Sequence, residues 1–468
     1  MTFVRSFISA GLVLMTAAPA SAQSGDGLVQ GDPAYRAALQ QAPQSAPAGP
    51  AAQPAQPAAA TQPASSTPPA SSTQAAPAAQ PVPAPLPVAG FQDGFFIQTA
   101  NGDNRLLFGL VSQLDGRFSI NDSLVITNTF AIRKVRPTFS GRVARYFDFK
   151  IMPDFGNGTT TITDASLDIR FSPKLRVRAG KDKTPVGYEL LIGDAFLLFP
   201  ERSLASSLVP NRDVGVGVLG ELSPKFSYSA VVVNGVPDGS SSTTDVDTND
   251  GKDLAGRIVV QPFRQTGTAA TGPLNGLGFH LGGSYGKQIG ALPSFRTSVG
   301  QTYFNYAVTA LADGTRTRVS PAVFYYHKGF GGFAEFMRNS QRVTRAGVSD
   351  DVVNHGWDVT GAYLLTGEVA SDRGVRPRSP FDPTKGQWGA VQVLARYTEL
   401  TVDQDVFALA FAGVAAAQKA KSFTVGLNWY PATVAKYYFT YERTTFEGGT
   451  EPARADEDVI LFRVQLGF

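Results

Sequence analysis

The chain ends on DEDVILFRVQLGF, residues 456–468, without a polar tail. Every second residue from Phe462 to Phe468 is apolar, and Arg463, Gln465 and Gly467 lie between them. A period of two is typical of a strand with two different faces. Chain ends are usually frayed and polar, so a final strand that stops on a large aromatic residue needs an explanation from the rest of the chain.

The same alternation fills most of the chain after Phe91. It is clearest in four segments, KSFTVGLNWY (421–430), VAKYYFTYE (434–442), ASLDIRF (165–171) and LRVRAG (175–180). An apolar face alone fits a soluble sandwich as well as a membrane barrel. Residues 91–468 are too many for one sandwich of about 100 residues, and aromatic pairs such as Trp429-Tyr430 stand at strand ends, where interfacial girdles belong. We therefore expect an all-β fold, a transmembrane antiparallel β-barrel of about 16 strands.

The connections between these strands have two lengths, a pattern typical of the short periplasmic turns and long outer loops of bacterial barrels. Ser172–Lys174, Ser223–Lys225 and Lys328–Gly332 are tight, whereas 193–211, 235–250 and 368–386 are long. The pattern predicts that the long segments lie at the outer end. A barrel leaves no open strand edge in lipid, so the chain can stop at its closing strand. We expect Arg463 and Gln465 to face the water inside, and Phe468 resembles the signal that the outer-membrane assembly machinery reads.

The first 90 residues have a different character. Residues 1–22 carry Arg5, an apolar run and the small-residue pattern Ala20–Ala22, which together predict a signal peptide cleaved after Ala22. Residues 23–90 are rich in Pro, Ala, Gln and Ser and are expected to form a disordered periplasmic spacer because they cannot bury a core. Residues 91–468 are then the barrel, and the predicted location is the bacterial outer membrane.

The composition argues against catalysis, metal binding and nucleic-acid binding. The chain has no cysteine, and its formal net charge is only +3. His280, His327 and His355 lie in separate segments without ligand or triad spacing. The segment DVDTNDG (245–251) places its glycine one position late for a calcium loop. We expect no enzyme, no cofactor, no metal and no nucleic-acid partner.

Basic residues accumulate on the polar face of the early strands. If Val135, Phe139 and Val143 face lipid, then Lys134, Arg136 and Arg142 face the lumen, and the following hairpin adds Arg170, Arg176 and Arg178. Lumenal placement is favoured because a cation on the lipid face near the midplane costs about 2–4 kcal/mol. Such a wall would attract anions. It would also brace the barrel by pairing with neighbouring carboxylates, and both roles are compatible.

The segment 178–220 is too apolar for solvent and too rich in Gly and Pro for a plain strand, so we expect part of it to fold inward as a constriction loop. Here KTPVGYE (183–189) and FPERSLASSLVPNRDVGV (199–216) resemble the third-loop region of the phosphate-selective porin O and P family. The resemblance continues through IRKVRPTFSG (132–141), FKIMPDFG (149–156), GAVQVLARYTEL (389–400) and RVQLGF (463–468), and covers residues 100–468.

This resemblance implies a homotrimer of 16-stranded outer-membrane barrels that pass small solutes passively. Phosphate-specialised members carry basic residues where this chain has Leu190, Ala195 and Val111, but the paired basic residues Arg133 and Lys134 are kept. Because adjacent residues point to opposite faces, Arg133 reaches the lumen only from a strand end or a bulge. We therefore expect a porin for small, anionic solutes such as phosphate rather than a strict phosphate channel.

Two sets of residues form the predicted site. The pore-lining selectivity wall is Arg133, Lys134, Arg136, Arg142, Arg170, Arg176 and Arg178. The residues that anchor or charge the constriction loop are Lys181, Lys183, Glu201, Arg202, Arg212 and Asp213. The expected partners are outer-membrane lipid, small solutes, two further copies of the chain and the assembly machinery. The alternative is a structural or adhesive barrel that its N-terminal arm links to the cell wall.

Overall fold

The structure, a computed structural model, describes residues 86–120, 127–242, 247, 249–265, 272–451 and 453–468. The signal-peptide prediction for residues 1–22 and most of the predicted spacer lie outside these residues. Residues 88–90, which the sequence prediction placed in the spacer, belong to the first strand. No helix among the described residues is long and apolar enough to cross a membrane.

The described residues form twenty strands, two one-turn α-helices and four short 3-10 helices. The strands are β1 Val88–Phe91, β2 Phe95–Gln98, β3 Arg105–Ser119, β4 Thr129–Val143, β5 Phe147–Asp154, β6 Thr161–Ser172, β7 Leu175–Lys183, β8 Arg212–Ser223, β9 Phe226–Val233 and β10 Asp253–Val260. They continue with β11 Leu277–Gly290, β12 Ser294–Arg296, β13 Thr302–Asn305, β14 Leu311–His327, β15 Phe330–Arg345, β16 Val348–Leu364, β17 Ala390–Thr401, β18 Lys419–Ala432, β19 Ala435–Glu447 and β20 Glu457–Gly467. The α-helices are α1 Tyr188–Leu191 and α2 Asp405–Ala408.

Sixteen of the strands, β3–β11 and β14–β20, close into one antiparallel barrel. Each pairs with the next along the chain, and β20 pairs back onto β3 from Val459↔Ser119 to Gly467↔Val111. The predicted fold class is therefore confirmed. The strands β12 and β13 form a separate hairpin between β11 and β14.

The outer surface carries an apolar belt because alternate residues of each strand point outward. On β18 the outward residues are Trp429, Leu427, Val425 and Phe423, and the next outward residue is Lys421. On β19 the outward residues Tyr437, Phe439 and Tyr441 are followed by Arg443. A soluble protein rarely exposes so large an apolar patch. This belt, flanked by aromatic residues and then by charges, is the surface that a barrel presents to lipid.

The two ends of the barrel differ in their connections. At one end, tight turns join β4 to β5, β6 to β7, β8 to β9, β14 to β15 and β18 to β19, and the chain also ends there at Phe468. This is the periplasmic end, since bacterial barrels have short periplasmic turns. Seven of the eight connections at the other end are longer, and the exception is the tight turn at Ala346 and Gly347 between β15 and β16.

One sequence prediction about these ends is wrong. The long segment 368–386 was expected at the outer end, but it belongs to the connection between β16 and β17 and therefore lies at the periplasmic end. The reason is strand parity, because β16 runs toward the periplasm and its connection must begin there. Ala370 and Val375 of this segment are buried against the barrel strands.

The interior of the barrel is not an open tube. Buried apolar side chains from the loops 184–211, 291–310 and 402–418 pack against the inner faces of the strands. Fully buried members include Leu208, Phe295, Phe304, Phe411, Met337 and Leu400. Three loops thus build an apolar core inside the barrel, and this core confines polar residues to the remaining wall.

The first and last described strands meet at the barrel seam. The hairpin β1–β2 pairs with the start of β3, beside the part of β3 that pairs with β20. The ring of Phe468 lies 5.9 Å from Phe91, 5.7 Å from Phe95 and 6.3 Å from Phe108 between centroids. A Cβ on Gly109 would lie 2.8 Å from the Phe468 carbonyl oxygen, so the close approach of the chain end requires glycine there.

Candidate pore constriction and its charged wall

The loop 184–211 lies inside the barrel and is held there by its own backbone carbonyls. Wall side chains donate hydrogen bonds to four of the five backbone carbonyl groups of the segment 197–201, all except that of Phe199, and to those of Asp194 and Ala195. Lys436 and Tyr438 donate to the Leu197 carbonyl at 2.7 and 3.2 Å, and Asn428 donates to that of Leu198 at 2.9 Å. Arg463 donates to the Pro200 carbonyl, and Arg396 donates to that of Glu201 at 2.9 Å. Gln113 donates to the Asp194 carbonyl at 3.4 Å, and Gln465 donates to that of Ala195 at 2.8 Å. Buried carbonyls need such partners.

The start of this loop is fixed by two glutamates. Glu335 of β15 accepts hydrogen bonds from the backbone N–H groups of Tyr188 and Glu189, at 2.6 and 2.9 Å. The Glu189 carboxylate accepts from the backbone N–H and the hydroxyl of Ser203, at 2.9 and 2.8 Å, and from the hydroxyl of Ser206. The loop is therefore tied to the wall and closed on itself.

Asp194 is the centre of a buried cluster of cations. Lys134 Nζ lies 3.3 Å and Arg202 Nη2 2.9 Å from its carboxylate, and Arg136 also contacts it. Burial opposes ionisation of this carboxyl, but Lys134, Arg202 and Arg136 outweigh it and hold the pKa of Asp194 well below its usual range. The cations Lys134 and Arg136, which the sequence predicts in the selectivity wall, thus fasten the loop.

Glu201 joins the loop to the barrel seam. It accepts from Arg133 Nε and Nη2 at 2.7 and 3.1 Å and from Arg463 Nη2 at 2.8 Å. Burial opposes its ionisation, but Arg133 and Arg463 hold the pKa of Glu201 below its usual range. The register of β3 and β4 shifts between Gln113 and Leu114, so Arg133 lies in a bulge, the arrangement it needs to point inward.

Three further predicted wall cations, Arg142, Arg176 and Arg178, pair with carboxylates of the same wall. The pairs are Arg142–Asp148 at 2.9 Å, Arg176–Asp168 at 3.4 Å, Arg178–Asp168 at 2.6 Å and Arg178–Asp182. Lys150, which the sequence prediction did not include in the wall, pairs with Asp164 at 2.5 Å. Arg170 donates to the carbonyl of Arg145 at 3.0 Å. The cations are the more exposed partners: the side chains of Arg142 and Arg178 are 26% and 22% exposed, against 9% and 5% for Asp148 and Asp168.

The predicted loop residues divide between the loop and its flanking strands. Glu201 and Arg202 lie in the loop, whereas Lys181 and Lys183 end β7 and Arg212 and Asp213 begin β8. Lys183 Nζ donates to the carbonyls of Leu190 and Ile192 at 2.7 and 2.8 Å. Arg212 pairs with Asp164 at 2.6 Å, and Asp213 accepts from the N–H of Gly235 at 2.7 Å. Lys181 is buried.

The predicted site did not include the cations of the opposite wall. Arg396, Lys436 and Arg463 are buried, and Arg463 pairs with Asp115 at 2.6 Å besides contacting the loop. Arg463 and Gln465 do face inward, but they face the loop and not water, which corrects the sequence prediction. The sequence signal that could have identified these residues is a cation or an amide at an inward position of a strand whose outward residues are apolar.

The histidines and carboxylates of the described residues do not gather into one cluster. No group of three or more His, Cys, Asp or Glu side chains within them could hold a metal ion. His280 is buried beside the ring of Tyr188 and lies on β11, whereas His327 and His355 lie on β14 and β16. What the arrangement supplies is a narrowed lumen with a charged wall.

A closed 16-stranded antiparallel barrel with an apolar outer belt and a loop folded into its interior defines the class of outer-membrane porins. The family model of phosphate-selective porin O and P matches residues 112–468, and the chain belongs to this family. It is therefore a porin, an outer-membrane barrel for passive diffusion.

Solved outer-membrane barrels align with this chain at low sequence identity. The outer membrane channel DcaP of Acinetobacter baumannii aligns with a TM-score of 0.51 and 12% identity, over 81% of this chain and 100% of that chain. An anion-selective porin from Comamonas acidovorans aligns with a TM-score of 0.49 and 10% identity, over 78% of this chain and 99% of that chain. OmpT of Vibrio cholerae, folded in vitro, aligns with a TM-score of 0.49 and 11% identity, over 78% of this chain and 98% of that chain. No curated protein matches the sequence.

Proposed function

We propose that this porin favours small anions, and that the wall formed by β4–β7 supplies the preference. The observation that carries the proposal is the unequal exposure of the ion pairs along that wall. Arg142, Lys150 and Arg178 are 26%, 19% and 22% exposed, whereas the carboxylates of Asp148, Asp164 and Asp168 are 9%, 1% and 5% exposed. A passing solute therefore meets the cationic end of each pair first, and such a surface attracts anions.

Planar-bilayer recordings in a KCl gradient test this proposal. The reversal potential should lie on the anion-selective side, and the double variant Arg142→Gln/Arg178→Gln should move it toward the cation side. Arg443→Gln is the matched control because Arg443 lies on the outer surface, paired with Asp456 and Asp458. Cation selectivity of the unaltered porin would overturn the proposal.

Phosphate preference is expected to be weak. Leu190 and Ala195 occupy loop positions where the family resemblance places basic residues in phosphate-specialised members, and Leu190 is 3% exposed in an apolar cluster. The cations at the loop, Lys183 and Arg202, already bind carbonyl or carboxylate oxygens of the loop itself. Added phosphate should therefore reduce chloride conductance only in the millimolar range, which corresponds to a binding free energy of about −4 kcal/mol. Micromolar block would show a dedicated phosphate site.

Assembly as a homotrimer belongs to the same proposal. The support is the family resemblance together with the apolar belt, which offers each barrel a lateral surface. Native mass spectrometry of the detergent-solubilised protein should give three copies per particle, and a monomer would contradict this part.

The apolar core inside the barrel favours one second candidate, a structural barrel whose N-terminal arm holds the cell wall. Deletion of residues 23–85 separates the two functions. Single-channel conductance should survive the deletion in a porin. A barrel that is closed to ions, with loss of cell-wall attachment on deletion, would favour the structural function.

A further inference from the structure

The apolar belt ends abruptly on the strands β15–β20. On each of them the outward apolar residues give way to a charged or titratable side chain on the side of the outer leaflet. These first polar positions are Arg338, His355, Glu399, Lys421, Arg443 and Asp458. They trace the level at which the barrel leaves the hydrocarbon and enters the head groups.

Four of these six residues are neutralised within the chain. Glu399 pairs with Lys419 at 2.9 Å, and Lys421 pairs with Glu447 at 2.5 Å. Arg443 and Asp458 pair with each other at 3.3 Å. The charged residues at this level of β17–β20 are therefore neutralised by ion pairs within the chain.

Arg338 and His355 differ from the other four. They face each other across β15 and β16 in direct register, and both side chains are exposed on the lipid-facing surface. Across the part of the chain that the structure describes, no carboxylate lies within ion-pair distance of Arg338. A guanidinium at the edge of the hydrocarbon, beside an imidazole and without an anion among the described residues, is placed to pair with an anion from outside the chain.

The surroundings of this pair suit an amphipathic ligand. Below it, toward the hydrocarbon, lie the exposed rings of Phe336 and Trp357, which stand opposite each other in the same strand pair. Above it lie the hydroxyl residues Ser340 and Thr317, which are also opposite each other, on β15 and β14. An acyl chain would contact the rings, and a sugar head group would contact the hydroxyls.

We propose that Arg338 and His355 bind the phosphate group of a phosphorylated glycolipid in the outer leaflet. A guanidinium matches two phosphate oxygens with two parallel N–H donors, and the imidazole N–H supplies a third donor from the facing strand. The site lies on the outer surface and is independent of the pore, so the proposal does not rest on solute selectivity.

Native mass spectrometry of the full-length porin in detergent, with hexa-acylated diphosphoryl lipid A as the probe, tests the proposal. The double variant Arg338→Gln/His355→Gln should bind this lipid about tenfold more weakly, the effect expected for the loss of a charge-assisted bidentate contact. Lys421→Gln, the matched control at the same level of the belt, should bind it as the unaltered porin does. Equal binding by the double variant, or equal loss in the control, would overturn the proposal.

Two further arms identify the chemistry that is recognised. The dephosphorylated form of the same lipid should bind the unaltered porin as weakly as the double variant binds the phosphorylated form. Inorganic phosphate at the lipid concentration should not displace the lipid, whereas displacement would show a simple anion site and contradict a lipid site. Arg338→Lys should restore part of the binding because the charge remains and the second parallel donor is lost.

Discussion

Glu201→Gln is the most direct test of how the constriction loop sets the field in the pore. The carboxylate of Glu201 neutralises Arg133, whose side chain is 26% exposed and therefore accessible to solutes. Arg463 keeps both contacts to Asp115 and its contact to the Pro200 carbonyl when Glu201 is replaced, so the loop should stay in place. The main effect of the substitution is then one additional positive charge in the lumen.

The expected size of the effect follows from Coulomb's law. A unit charge about 4 Å from a passing ion contributes about 1 kcal/mol of interaction energy in water. Because this distance is shorter than the Debye length of about 10 Å at 0.1 M salt, screening removes only a small part of that energy. One kcal/mol is about a fivefold change in local ion concentration. Since Glu201 is itself 19% exposed and shared among several guanidinium groups, we expect the chloride-to-potassium permeability ratio to rise about threefold.

The assay is the reversal potential of single channels in a KCl gradient. Glu447→Gln makes the same charge change on the outer surface, where Glu447 pairs with Lys421, and it should leave the ratio unaltered. The reasoning is refuted if Glu201→Gln leaves the permeability ratio unchanged or lowers it. An equal rise in the control would show a surface-charge effect and not a lumenal one.

Three further predictions concern the anchors and the seam. Lys436→Met removes a buried donor from a loop carbonyl, so single-channel conductance should rise and fluctuate more, and unaltered traces would contradict this anchoring role. Arg463→Gln leaves the buried Asp115 carboxylate without its main partner, so the free energy of unfolding should fall by about 3–5 kcal/mol, measured by guanidinium denaturation against Arg443→Gln. Deletion of Phe468 removes three ring contacts at the seam, so less assembled barrel should reach the outer membrane while ion selectivity stays the same; normal assembly would disprove the role assigned to this residue.

Much of the barrel could be predicted from the sequence because alternation is a local property. The residues on either side of Phe439, for example, point inward, as their position in the strand requires. The same rule indicated that Arg133 needs a bulge, and the structure has one. Local chemistry therefore fixes which side chains face lipid and which face the interior.

The sequence does not show what an inward side chain meets. Arg463 contacts Pro200, 263 residues away, and Lys436 contacts Leu197, 239 residues away. Such partners depend on how the loop folds inside the closed barrel, which no local period encodes. For the same reason alternation could not show that Lys134 lies against Asp194 of the loop rather than in open water.

The end at which a loop lies is also a global property. Segment 368–386 is as long as an outer loop, but its position follows from the number of strands before it, and the extra hairpin β12–β13 obscures that number in the sequence. The length of a loop therefore does not determine the end at which it lies, whereas the number of paired strands before it does.

The four-ring contact at the seam has a mechanical meaning. The chain preceding the barrel enters through β1 and β2, which continue along β3 where β20 stops. Tension applied to the N-terminal arm would therefore be carried first by the β1–β2 hairpin and by the rings around Phe468, in a zipper geometry that opens one pair at a time. The same force would reach the other strand pairs of the barrel only after the contacts at the seam had separated. The seam is therefore the part of the barrel that should yield first under load.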